Sequence, residues 1–137
     1  MTKQDEPDKR DIGGVDVGLA HHGHMSYLEI PANDVGQSAN FYAAVFGWLI
    51  SPRDAENCSF DDRSGTLIGR WTTGRTVSRE PGILPYIYVD HIDEVVSRIV
   101  GQGGEVVKPV YREGDLWVAR FHDPAGTLMG VWQAGTR

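Results

Sequence analysis

An order of elements that occurs twice limits most what this chain can fold into. Residues 24–30 alternate Met25, Tyr27 and Glu29 with Ser26, Leu28 and Ile30, the period-two pattern of a strand. Pro31 and Ala32 end that run, and Asn33 or Asp34 is placed to cap a helix. Val35, Ala39, Tyr42, Val45 and Phe46 then recur at helical spacing before Gly47, a C-terminal stop. Short strands follow at 48–51, 58–61 and 66–72, and an Arg-, Ser- and Gly-bearing linker at 73–82. The order then restarts. Residues 84–89 form a strand, and Asp90, His91 and Asp93 are candidate caps. Ile92, Val95, Val96, Ile99 and Val100 form a helical stripe ended by glycines, and strands follow at 105–111, 116–121 and 127–133. Ile30 and Val89 lie 59 positions apart, and Gly47 and Gly104 lie 57 apart.

Each copy is therefore a βαβββ unit, and the chain is an α+β duplication. A half of this kind has one helix for four strands, so one face and one edge of its sheet need a partner. Two such modules, at about 23–73 and 84–135 with a linker at about 74–83, form a curved mixed sheet around a cup. The mixed-charge segment 1–22 is expected to be a flexible tail.

Composition removes several functions. The 137 residues are one domain's worth of chain, and with 40% hydrophobic residues they can bury a core unaided. A net charge of −6 opposes the counterion release that drives nucleic-acid binding. No apolar run approaches the roughly 20 residues that span a bilayer, and the N-terminus has no apolar stretch of the signal-peptide kind. The single cysteine, Cys58, forbids an intramolecular disulfide and a cysteine-based zinc site, which points to a reducing, cytoplasmic setting. Cys58 itself reads as a small buried hydrophobe.

Three runs carry a more specific likeness: IPANDVGQSANFYAAVFGW, PYIYVDHIDEVVSRIVGQGGEVVKP and FHDPAGTLMGVWQ. In this order and spacing they resemble the vicinal oxygen chelate superfamily of glyoxalase I, extradiol dioxygenases and bleomycin resistance proteins. The subgroup they look most like is that related to lactoylglutathione lyase. The resemblance covers about residues 24–134 and implies the glyoxalase/bleomycin resistance-like fold and a homodimer.

It also implies where a divalent metal would sit. The ligand positions fall at Met25, near Ile68 to Arg70, at Leu84 and at Gly130, and none of these is a usual ligand. No metal cofactor is therefore expected there. The cluster His21, His22 and His24 lacks evident acidic or thiolate partners and reads as an adventitious metal binder.

In the same overlay Met25, Tyr27, Leu84, Tyr86, Tyr88, Leu128, Gly130 and Trp132 line the cup. Trp48, Trp71 and Trp117 read as core or interface, with Trp117 the one of the three expected to reach the cup. Such a lining suits a small, partly aromatic or apolar molecule. Glu29 is its one ionisable group, either a general base among aromatic rings or a carboxylate paired with an arginine such as Arg70. Arg70, Arg75 and Arg79 read as a solvated basic run, and Asp123 as part of a tight turn.

Three functions stay open. One is a metal-free binder or carrier of a small molecule. Another is a metal-independent isomerase, lyase or cyclase using Glu29. The third is a metal-dependent lyase or dioxygenase with rearranged ligands.

Overall fold

The computed structural model of the chain describes residues 15–52 and 56–137. The expected tail at 1–22 lies outside the described residues up to position 14. Beyond it, Val17–Leu19 form one 3₁₀ turn, capped by the Asp16 carboxylate accepting from the Gly18 N–H at 2.8 Å.

The first module consists of β1 (Tyr27–Pro31), α1 (Val35–Phe46), β2 (Leu49–Pro52), β3 (Asn57–Asp61) and β4 (Ile68–Thr72). The second repeats it with β5 (Tyr86–Tyr88), α2 (Ile92–Gly101), β6 (Glu105–Glu113), β7 (Leu116–His122) and β8 (Leu128–Ala134). Each module forms a four-stranded mixed sheet, in the order β1-β4-β3-β2 and β5-β8-β7-β6. The first and last strands of a module are parallel, as a strand–helix crossover requires, and the other pairings are antiparallel. There are thus two sheets rather than one continuous sheet, and β1 and β5 stand at their edges.

Strand β1 begins later than its alternation suggests and takes in Pro31, which pairs with Thr72. An edge strand tolerates a proline because its outward N–H needs no partner.

The two helices are started in different ways. The Asp34 carboxylate accepts from the Gln37 N–H at 3.0 Å, a local cap for α1, and Gly47 closes that helix at φ 74°, where a side chain would be strained. At α2 His91 holds the cap position without a side-chain cap bond. The acceptor for the Ile92 N–H is instead the Gln133 carboxamide of β8, at 2.8 Å and buried. The residues at 90, 91 and 93 do not supply the cap because a buried β8 side chain already fills that place.

Both helices cover the same side of the sheets, and one core runs through the two modules. In the first module Trp48 stacks on Tyr42 and Phe60 at ring separations of 4.8 and 4.6 Å, and Phe60 meets Trp71 at 4.9 Å. Phe41 joins them to Phe121 of the second module at 6.0 Å. Cys58 lies in this core, and burial raises its thiol pKa, which suits packing rather than nucleophilic chemistry.

A polar tie joins the modules at the same level. The Tyr42 hydroxyl donates to Asp123 Oδ2 at 2.9 Å, and Asp123 Oδ1 accepts from the N–H groups of Ala125, Gly126 and Thr127. Burial outweighs those four donors and raises the Asp123 pKa from its ordinary value. Burial, reinforced by Asp123, pushes the Tyr42 pKa well above the ordinary tyrosine value.

Candidate functional site

With the helices on one side, strand alternation turns a second set of residues to the opposite faces of the sheets. In the first module this face carries Tyr27 and Glu29, with Arg70 directly across from Glu29 in the β1–β4 register. Arg70 Nη2 lies 2.6 Å from Glu29 Oε2, and Arg75 Nη1, from the linker, lies 3.3 Å from Glu29 Oε1. Arg70 Nη1 also donates to Asn57 Oδ1 at 3.3 Å. Glu29 is thus bridged by two guanidiniums rather than enclosed by aromatic rings.

In the second module the equivalent face is aromatic. Tyr86 pairs with Gly130 and Tyr88 with Trp132, and the Tyr88 and Trp132 rings meet edge-on at 4.8 Å. The Tyr86 ring lies over Gly130, where a Cβ would collide with ring carbons Cε1 and Cδ1. Only glycine admits that approach. Arg120 Nε donates to the Tyr86 hydroxyl at 3.0 Å, and the Arg120 pKa is raised first by that bond.

The linker is anchored on the second module. The Arg79 guanidinium lies 3.0 Å from His122 Nδ1, and since it can only donate, that nitrogen accepts. The proton then sits on Nε2, 3.1 Å from the Arg79 carbonyl. Glu105 stands 3.7 Å from Arg79 and 3.4 Å from His122. The run of three arginines is therefore a set of contacts, two to Glu29 and one to His122 and Glu105.

Two cavities open where the modules meet. The larger, of about 590 Å³, is lined by Leu28, Phe46, Trp48, Ile87 and Tyr88 among others, with Asp62, Ser64, Asp90, His91, Glu94 and Arg98 as polar groups. The smaller, of about 330 Å³, lies under the linker between β1 and β8. Tyr86 and Tyr88 line the larger one, and Glu29 and Leu128 the smaller.

Other expected lining residues are placed elsewhere. Met25 precedes β1 and is 75% exposed, and Leu84 precedes β5. Tyr27, Gly130 and Trp132 stay on the open faces outside both cavities. Trp117 is the clear correction. It pairs with Gln133 while its neighbour Val118 pairs with Trp132, so Trp117 is turned to the helix side. There it packs against the core, and its Nε1 donates to the Gly135 carbonyl at 3.2 Å. A one-residue step along a strand moved it to the other face.

The divalent ion implied by the resemblance does not fit these residues. Met25 and Leu84 lie off the strands, Arg70 is committed to Glu29, and the Tyr86 ring covers the place where a side chain at position 130 would project. Among the described residues no three His, Cys, Asp or Glu side chains converge as a metal would need. The His21 and His24 rings lie 5.3 Å apart on an exposed turn.

The residues that local spacing did not reveal are Arg75, Arg120 and Gln133. Each acts on a group far away in sequence. The Glu29–Arg75 contact spans 46 positions, so no short motif carries it.

Two mixed sheets with both helices on one side define a glyoxalase/bleomycin resistance fold. A family model described as Bleomycin resistance protein-like N-terminal matches residues 25–60, from β1 into β3. The chain is similar to "Putative glyoxylase CFP32" of Mycobacterium tuberculosis, 27% identical over 120 residues covering 82% of this chain and 46% of that protein. It is also similar to the anthracycline biosynthesis protein DnrV of Streptomyces peucetius, 28% identical over 82% of this chain and 48% of that protein. The chain thus spans about half the length of these curated relatives. Among solved structures, a glyoxalase/bleomycin resistance protein/dioxygenase family enzyme of Burkholderia phytofirmans has a TM-score of 0.68 at 19% identity, covering 80% of this chain and 98% of that one. TioX from Micromonospora sp. has a TM-score of 0.61 at 22% identity, covering 82% and 100%. These likenesses together support the vicinal oxygen chelate superfamily for this chain. No helix among the described residues is long and apolar enough to cross a membrane.

Proposed function

We propose that this chain binds a small, partly aromatic or apolar molecule in the larger inter-module cleft, as a carrier or sequestering protein that does not use the superfamily's metal. The observation that carries this reading is the cleft itself. Its volume of about 590 Å³ lies within the roughly 300–1,000 Å³ of small-molecule sites, and its lining combines aromatic and aliphatic side chains with polar and charged ones. The poor fit of the implied ligand positions supports binding by packing and stacking rather than chelation.

Titration of the untagged chain with a panel of flat aromatic compounds, followed by calorimetry and native mass spectrometry, tests it. One or more compounds bind one to a chain, and Tyr88→Ala weakens them at least about tenfold, the loss of one stacked ring. A panel that binds nowhere, or binds equally well after Tyr88→Ala, removes the cleft as the site.

An enzymatic alternative rests on Glu29, which lines the smaller cavity. It requires that a bound compound be turned over and that Glu29→Gln abolish turnover while affinity stays. Binding without turnover leaves the carrier reading. We further place the chain in the cytoplasm as a homodimer, because two-fold pairing would cover the exposed faces that carry Tyr27, Tyr86 and Tyr88. Light scattering at micromolar concentration gives twice the 15.1 kDa chain mass if so.

A further inference from the structure

The smaller cavity differs from the cleft in chemistry as well as size. Its wall is aliphatic, with Leu28, Ile30, Pro31, Ile83 and Leu128 and no aromatic side chain among its lining residues. Ile83, 82% exposed, stands at the solvent side of this wall. The polar end is the Glu29 cluster. Among the described residues two guanidiniums there face one carboxylate, which leaves one positive charge in excess. Arg70 has spent its Nε, Nη1 and Nη2 on Glu29 and Asn57, whereas Arg75 gives Glu29 only Nη1, lines the cavity and keeps its other donors.

We propose that this cavity is a second binding site, for an aliphatic carboxylic acid whose carboxylate pairs with Arg75 and whose chain lies along Leu28, Ile83 and Leu128. A monoanion neutralises the excess charge, and a guanidinium fork matches a carboxylate better than a neutral head group. The volume of about 330 Å³ suits a short or medium chain rather than a long fatty acid. This site is independent of the reading of the larger cleft, although Leu28, Pro85 and Met129 form walls of both.

The test uses the full chain and three probes of one length: octanoate, 1-octanol and octylamine, titrated by calorimetry with methyl resonances followed by NMR. Octanoate binds about tenfold tighter than octanol, the value of one charge-assisted hydrogen bond, and octylamine binds weakest. Shifts concentrate on the Ile83 and Leu128 methyls. Arg75→Gln, an exposed substitution whose fold is checked by circular dichroism, removes the preference for octanoate while leaving octanol affinity unchanged. Equal affinity for octanoate and octanol overturns the proposal, as does a preference that survives Arg75→Gln. Shifts centred on Leu67 and Val95 would place the acid in the larger cleft and overturn it as well. An aromatic panel that fails in the cleft leaves this result untouched, so the two readings fail separately.

Discussion

The two modules share a strand order and differ in almost everything attached to it. The open face of the first is ionic, with Glu29 held between Arg70 and Arg75. That of the second is aromatic, with Tyr86 lying on Gly130 and Tyr88 against Trp132. The helices differ in the same way. Helix α1 buries Val35, Ser38, Ala39, Phe41, Tyr42 and Val45, whereas α2 buries only Ile92, Val95 and Ile99 and leaves a polar face in solvent. A duplicated backbone thus sets where side chains can point, and the side chains set what each half does.

Substitutions break this comparison in order of size. Trp71, fully buried among the first module's rings, is the most costly to truncate, and Trp71→Ala lowers unfolding free energy by about 3–5 kcal/mol. Ile99→Val at the equivalent depth of the second module costs about 0.5–1.5 kcal/mol. Denaturant melts of both variants measure the gap.

The caps come next. Gln133→Ala strands the buried Ile92 N–H and costs about 1–3 kcal/mol. Asp34→Ala removes an exposed local cap and costs about 1 kcal/mol. Equal costs would mean that water replaces the Gln133 acceptor.

Gly130→Ala forces the Tyr86 ring off the sheet and costs about 1–3 kcal/mol, as overpacking does. In a Tyr86→Ala background most of that cost disappears, which a double-mutant cycle reads as coupling. Additivity would show that the ring swings away freely.

The smallest effects are electrostatic. Asp123 has a raised pKa, so the folded state holds its proton more tightly than the unfolded chain. Its contribution is present in acid and is lost as pH rises through the folded value. Asp93 has a lowered pKa, chiefly from its hydrogen bond to Arg137, so its contribution is present above the ordinary carboxylate range and lost as pH falls. Melting temperatures between about pH 3 and about pH 7 therefore move oppositely relative to the parent. Asp123→Asn improves with rising pH, and Asp93→Asn declines slightly, because Asp93 is exposed and screened.

Much of this architecture is legible in the sequence because its causes are local. The duplication, the Asp34 cap, the Gly47 stop and the turn beginning at Asp123 all follow from periodicity and backbone preference. Local alternation also put Tyr27 and Glu29 on one face. The overlay failed at Trp117, where β7 turns the ring to the helix side. It also failed at Met25 and Leu84, which lie just beyond the strands.

Glu29 shows the division between sequence and tertiary structure. The sequence determined that a carboxylate stands near the end of the first strand, with Arg70 available in the same module. Only the folded chain decided that Arg75 also reaches it and that an aliphatic cavity, rather than a ring of aromatics, lies beside it. The physical reason is range: strand period and capping act over a few residues, whereas the packing of a linker on two sheets joins groups that chain order leaves far apart.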